Sequence, residues 1–153
     1  MIEYECQKGF SLVELLVTIA VLAIVVSIGV PSFVTMMQNT NLDAAADDLA
    51  GAMYYARSEA LQRNSAVEVE KLAAKTDFSG GFQVKLSSSN QVLRKYAAFN
   101  TSVSCTSCAG PVAFSASGTT LDTGSIELVH TNGFKRCIRI TLSGGIRMQK
   151  DGC

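Results

Sequence analysis

Hydrophobic residues are distributed unevenly along this chain, and the longest apolar run lies near its beginning. Between Phe10 and Val30 only Glu14 carries a charge. A helix of this length spans about 30 Å, the thickness of the hydrocarbon core of a bilayer. No small-residue cleavage site follows the run, so we expect a retained membrane helix rather than a secretory signal. The alternative, a buried core helix, needs a larger protein around it than 153 residues supply.

A helical pattern continues beyond Pro31. Apolar residues recur there at three- and four-residue spacing, which is the stripe of an amphipathic helix. They are Leu42, Ala45, Ala46, Leu49, Ala52, Met53, Ala56 and Ala60. One helix is therefore predicted over residues 10–63, with Gly29 and Pro31 kinking it or loosening a turn. Asn41 is an alternative cap at which a second helix would begin. The small side chains predict close packing against this face within the subunit.

Past Arg63 apolar and polar residues alternate, as they do in strands with one buried face. The strand-like segments are 67–70, 82–86, 92–99, 112–114, 126–130, 134–142 and 146–148. The turns Asn132-Gly133 and Ser143-Gly144-Gly145 are typical of hairpins, so the last third of the chain is predicted to be an antiparallel meander. The expected fold class is α+β, with a long N-terminal helix packed against a C-terminal domain of antiparallel sheets.

The net charge and the potentially catalytic side chains exclude few classes of function. With 13 basic and 13 acidic residues, the balance argues neither for nor against a nucleic-acid partner. The single histidine, His130, falls on the same strand face as Ile126 and Leu128, which favours a partly buried, hydrogen-bonded side chain. No nucleophile, base and acid can be assembled into a catalytic set. We therefore predict a protein that is not an enzyme and that has no cofactor and no metal site.

The residues at the start of the apolar run resemble the type IV pilin family, which comprises pilins, minor pilins and the pseudopilins of type II secretion. A short polar leader ends in Lys8-Gly9, the segment Phe10-Ser11-Leu12-Val13-Glu14 follows, and Pro31 closes the apolar run. The family signature is this glycine, a methylatable residue after it, and a glutamate four residues further on. The resemblance implies cleavage between Gly9 and Phe10 by a prepilin peptidase, and N-methylation of Phe10.

Glu14 has a physical role in this interpretation. An unpaired carboxylate in hydrocarbon costs several kcal/mol. In the family, subunits leave the inner membrane and stack into a helical filament. The amine freed at Phe10 is the obvious partner for Glu14, within one subunit or between neighbours, and such a pair favours one axial register. The alternative is that Glu14 reaches to the membrane interface without a specific partner.

The resemblance also implies a division of the chain and a location. Residues 1–9 are the cleaved leader, 10–30 the transmembrane and assembly half of the helix, 31–64 its amphipathic half, and 65–153 a β-rich periplasmic domain. The protein is expected in the bacterial inner membrane as a single-pass protein, and then in a pilus or pseudopilus. The implied partners are other pilins and minor pilins, the prepilin peptidase, the inner-membrane assembly platform and membrane lipid.

Of the five cysteines, Cys6 lies in the leader. The other four face an oxidising compartment in this topology, where disulfides persist. Four cysteines allow three connectivities. We favour Cys137–Cys153, which ties the last residue to a nearby strand and leaves Cys105–Cys108 as a tight C-x-x-C loop. Zinc ligation and redox chemistry are alternatives, but the second pair is too widely spaced for a zinc ribbon and no βαβ context surrounds the C-x-x-C.

The plan of the chain further resembles the GspH/FimT-type branch, which contains H-class pseudopilins and their minor-pilin relatives. Ala56-Arg57-Ser58-Glu59-Ala60 is similar to a stretch of that branch where the helix ends, and the chain finishes on Cys153. This branch implies two small antiparallel sheets packed against the helix. The function implied is a structural subunit that primes or joins assembly of a type IV pilus. An H-class pseudopilin of type II secretion is an alternative.

A second alternative is a DNA-binding minor pilin for uptake in natural transformation. Some members of the branch bind DNA through a Gly-Arg-x-Arg motif in the last hairpin. This chain has Gly144-Gly145-Ile146-Arg147 at the matching place, so only the second arginine is kept. The candidate DNA contacts are Lys135, Arg136, Arg139, Arg147 and Lys150. The simpler interpretation is a solvated sheet face that protects the edge from aggregation.

Overall fold

The computed structural model describes residues 10–72, 77–108, 110–120 and 122–153. A long helix, α1, comes first, and eight strands follow it in the described residues. Their bounds are α1 Leu12–Arg63, β1 Val67–Lys71, β2 Phe82–Leu86, β3 Val92–Tyr96, β4 Val103–Cys105, β5 Val112–Phe114, β6 Gly124–His130, β7 Lys135–Ile140 and β8 Ile146–Lys150. A short 3-10 turn, Phe78–Gly80, precedes β2. The predicted α+β fold class is confirmed.

The strands form two antiparallel sheets of four strands each. The first sheet has the order β3-β2-β1-β5 and the second the order β4-β6-β7-β8. Strands β6, β7 and β8 are neighbours both in the chain and in the sheet, which confirms the predicted C-terminal meander. Strand β4 was not predicted, because Val103 is its single β-branched apolar residue and the residues around it are mostly Ser and Thr. It is held by pairing with β6, where Val103 lies opposite His130.

Helix α1 is unbroken at both places where the sequence suggested an interruption. Pro31 lies inside it, and the Thr35 hydroxyl donates to the Pro31 carbonyl at 3.0 Å. Asn41 is also helical, so the alternative in which it caps a second helix is wrong. The neighbouring Leu42 is fully buried against the sheets, and such packing outweighs the weak helix propensity of asparagine.

The chain divides into two compact units, residues 1–37 and residues 38–153. In the second unit a single core joins the small residues of α1 to the inward faces of both sheets. Ala52, Ala56 and Ala60 are fully buried on the helix, and Phe82 and Leu128 are fully buried on strands of the first and second sheet. The predicted close packing on the alanine stripe is confirmed. The small alanine side chains let both sheets approach the helix backbone closely.

Candidate functional site

The first candidate site is the beginning of α1. Every large apolar side chain among the described residues up to Met37 is exposed, from 46% for Val34 to 85% for Phe10. This part of α1 is long and apolar enough to cross a membrane. Glu14 is the one charge in residues 10–37. The predicted cleavage residue Gly9 lies outside the described residues.

Glu14 has a partner at the start of its own helix. The Ser11 hydroxyl accepts from the backbone N–H of Glu14 at 3.2 Å, and the Glu14 carboxylate lies 3.5 Å from the backbone N–H of Ser11. This reciprocal arrangement is a capping box, which satisfies two donors that the first turn leaves free. Our sequence reasoning missed it, although the spacing S-x-x-E before an apolar run is its known signal. Hydrogen bonds within the first turn of α1 therefore orient the Glu14 side chain without a contact from another subunit.

Two disulfides lie in the second unit. One joins Cys137 of β7 to Cys153, with Cα atoms 5.1 Å apart, and the other joins Cys105 to Cys108, with Cα atoms 5.8 Å apart. Cys137 is fully buried although it lies on the outer face of its sheet, because the C-terminal residues cover it. No group of three or more His, Cys, Asp or Glu side chains that could hold a metal is found in the described ranges.

Glu127 reinforces the attachment of the C-terminus. Its carboxylate accepts from the Lys135 ammonium at 2.9 Å and from the backbone N–H of Cys153 at 3.1 Å. These hydrogen bonds favour the charged form, so they lower the pKa of the Glu127 carboxyl, with Lys135 as the larger cause. Strands β6 and β7 and the end of the chain therefore meet at one carboxylate.

The five basic residues near the C-terminus are divided between the two faces of the second sheet. Successive strand residues point to opposite faces. Lys135, Arg139 and Arg147 therefore lie on the outer face, and Arg136 and Lys150 lie on the face that packs against α1. Arg139 is directly opposite Arg147. Lys135, Arg139, Arg147 and Lys150 are exposed, and Arg136 is half-buried.

Two of these five basic side chains are neutralised by acidic residues of the same chain, so their charges are not available to an external ligand. Lys135 pairs with Glu127 across the strands, and Arg136 pairs with Asp43 of α1. Lys150 lines a cleft together with the acidic residues Asp43 and Asp47. Neither of the two ion pairs was foreseen from the sequence. Among the described residues, Arg139 and Arg147 lie opposite each other and neither has an ion-pair partner.

The stretch Ala56-Arg57-Ser58-Glu59-Ala60 also has a visible role. Arg57 Nη2 donates to the carbonyl of Ser143 in the β7–β8 turn at 2.9 Å. Its Nε is buried and has no hydrogen-bond partner among the described residues. Gly144, with φ 74°, lies against this guanidinium and against the carbonyl oxygen of Gly118. Arg57 thus attaches the end of α1 to the last hairpin.

His130 occupies the buried position that the sequence predicted. It is 3% exposed, and its Nδ1 accepts from the backbone N–H of Asn132 at 3.2 Å. The side chain of Asn132 in turn donates to Gln38 of α1 at 2.7 Å. These contacts hold the β6–β7 turn against the helix. They give the histidine a structural role.

Comparisons with known proteins agree with this geometry. The family model for type II transport protein GspH matches residues 45–145. The model for the prokaryotic N-terminal methylation motif matches residues 6–30. No curated protein sequence matches the chain.

Solved structures of the Pseudomonas aeruginosa type IV minor pilin FimU, in two crystal forms, have a similar fold. In the first the TM-score is 0.62 at 23% identity, covering 74% of this chain and 92% of that one. In the second the TM-score is 0.60 at 24% identity, covering 71% and 92%. At this identity the likeness concerns the fold alone, which is pilin-like. The family model, which matches most of the chain, shows that this protein belongs to the GspH family and carries the prokaryotic N-terminal methylation motif.

Proposed function

We propose that this chain is a minor pilin that primes or joins assembly of a type IV pilus. In this proposal the prepilin peptidase cuts between Gly9 and Phe10, and the new terminus is N-methylated. Residues 10–30 hold the subunit in the inner membrane, and residues 65–153 form a periplasmic domain. An assembly platform then moves the subunit into a filament made with other pilins.

One observation carries the proposal. The large apolar side chains at the start of α1 are exposed, and a single carboxylate, Glu14, lies among them. A surface of this size is unstable in water and must be covered by lipid or by other helices. Lipid covers the apolar side chains but leaves the carboxylate poorly solvated. A bundle of helices that offers an amine to Glu14 covers the apolar side chains and also neutralises the carboxylate. For this reason we favour assembly as the function.

The cleavage step is tested by replacing Gly9. We expect Gly9→Val to leave the chain with its leader attached, whereas wild type loses residues 1–9 and gains a methyl group. Intact-mass spectrometry of the chain purified from membranes distinguishes these products. Cys6→Ser, elsewhere in the leader, is the control and should be processed normally. Normal processing of Gly9→Val would count against the assignment.

The assembly step is tested by replacing Glu14. We expect Glu14→Ala to insert into the membrane as wild type does and to be depleted from sheared filaments, because the charge that fixes the register is gone. Ser11→Ala is the matched control, since it removes the side-chain cap of α1 but keeps the carboxylate. Equal depletion by both substitutions would mean that Glu14 acts only as a helix cap, and the assembly role would be lost.

The DNA-receptor alternative receives less support from the geometry. A DNA receptor needs several phosphate contacts, and among the described residues of the β7–β8 hairpin only Arg139 and Arg147 are unpaired on the outer face. A role in a secretion pseudopilus uses the same anchor and the same Glu14. It is distinguished by deleting the assembly platform of one machinery at a time and measuring which deletion removes the chain from filaments. Loss with the secretion platform alone would favour the pseudopilus.

A further inference from the structure

Arg139 and Arg147 form an unusual pair on the outer face of the second sheet. They lie directly opposite each other on β7 and β8, and both are exposed. Neither has an ion-pair partner in the part of the chain that the structure describes. Like charges directly opposite on neighbouring strands destabilise a sheet. The pair therefore opposes folding unless an anion from outside the chain lies against it.

The surroundings of the pair show what that anion can be. On the same face of the β7–β8 hairpin, Lys135 is already neutralised by Glu127. Arg136 and Lys150 lie on the opposite face of the sheet. Two guanidinium groups isolated in this way match one or two carboxylates, which arginine binds through paired N–H···O bonds. A polyanion such as DNA needs a longer row of cations.

We propose that Arg139 and Arg147 form a docking site for a carboxylate on a neighbouring pilin subunit. The proposal rests on the proposed function, since it assumes that the chain works inside a filament. Strand β8 is the edge of its sheet, so a neighbour can approach the pair without displacing any strand. The charge complementarity then adds specificity to a contact whose main attraction is the apolar start of α1.

The first experiment measures recovery of the full chain in sheared filaments. We expect the double variant Arg139→Gln/Arg147→Gln to be recovered at about one half to one fifth of the wild-type amount, the loss typical of exposed ion pairs. Lys150→Gln is the matched control, because it removes an exposed cation from the same hairpin but from the other face. It should be recovered like wild type. Equal recovery of the double variant and wild type would overturn the docking site.

Folding and docking are separated by a thermal melt of the same chains in detergent. Removing two opposed like charges should leave the melting temperature unchanged or raise it, even though recovery in filaments falls. A fall in both quantities would mean that the pair serves the fold, and the docking site would be rejected.

The partner group is identified by chemical coupling. Arg147→Lys keeps the charge and introduces an amine, which a carbodiimide joins to a carboxylate in direct contact. We expect mass spectrometry of coupled filaments to find this amine joined to an Asp or Glu of another pilin subunit. Coupling only within the same chain would overturn the docking site. So would salt-sensitive binding of a DNA duplex by the full chain that the double variant loses.

Failure of the proposed function and failure of the docking site alone give different results in the filament assay. If the wild-type chain is absent from sheared filaments, the proposed function fails and the docking site fails with it. If wild type is present and the double variant is recovered equally, only the docking site fails.

Discussion

A single carboxylate, Glu127, connects two strands to the C-terminus. Lys135 and the backbone N–H of Cys153 both donate to it, and they hold its pKa below the ordinary value of 4.5. A carboxyl whose pKa is lower in the folded chain contributes stability above its unfolded pKa, and this stability is lost as the pH falls through the folded pKa. The contribution of Glu127 should therefore be present at neutral pH and absent in acid.

The corresponding prediction concerns Glu127→Gln. This substitution should lower the melting temperature at neutral pH, and the difference from wild type should shrink to nothing at a pH well below 4.5. Thermal melts of the full chain in detergent across this range provide the measurement. Asp151→Asn is the control, because Asp151 is exposed and has no ion pair among the described residues. A difference that persists unchanged in acid would contradict the role assigned to the Glu127 charge.

The backbone conformation and the surroundings of Gly144 both require glycine. Its φ is 74°, and a Cβ there would collide with the carbonyl oxygen of Gly118. We expect Gly144→Ala to reduce the free energy of unfolding by about 1–3 kcal/mol, from backbone strain and the collision together. Gly133→Ala separates the two causes, because Gly133 has φ 91° but no atom within 4 Å of its Cβ position. Urea unfolding should show the smaller loss at Gly133, and equal losses would exclude the collision.

Individual side-chain contacts were only partly predictable. The capping box of Ser11 and Glu14 was readable from the sequence, because its two members are three residues apart. The pair of Arg136 and Asp43 was not, because 93 residues separate them in the chain. A contact over that distance depends on the sheet order and on the face that packs against the helix.

Helix α1 and its sheets meet through small side chains. Ala56 is fully buried between the helix and the strands. We expect Ala56→Leu to destabilise the chain by about 1–3 kcal/mol, since a packed core has no room for the added carbons. Ala44→Leu is the matched control, because Ala44 is exposed on the same helix. Urea unfolding midpoints measure both, and equal stability of the two variants would argue against the close approach of sheet and helix.

The strands themselves were predicted well where the alternation was long enough. Strands β6, β7 and β8 lie within or close to the predicted segments, and the Asn132-Gly133 and Gly144 turns fix their register. That register also places Arg139 opposite Arg147. Strand β4 was not predicted, because its sequence has one β-branched apolar residue among Ser and Thr, and its pairing with β6 defines it as a strand. The continuous helix was predicted, and the alternative start at Asn41 is wrong, because packing of the adjacent Leu42 keeps the helix continuous.

The two disulfides of the folded chain differ in the length of chain that each one encloses. Cys137–Cys153 has a sequence separation of 16 and Cys105–Cys108 a separation of 3. The chain-entropy model assigns about 3 kcal/mol to the longer loop and about 1.5 kcal/mol to the shorter one. Replacing both members of each pair by Ser should reproduce this order in urea unfolding. The reverse order would contradict a stabilising tie at the C-terminus.

The sequence determined the elements and the anchor, because they depend on local patterns: an apolar run with one carboxylate, a helical stripe of alanine, and alternation broken by Gly turns. These patterns also supported the family resemblance, which the GspH family model and the FimU fold bear out. The tertiary structure decided which charges remain unpaired. Among the described residues Lys135 and Arg136 have acidic partners and Arg139 and Arg147 do not. The register of the strands and the packing of the sheet on α1 set which charges meet.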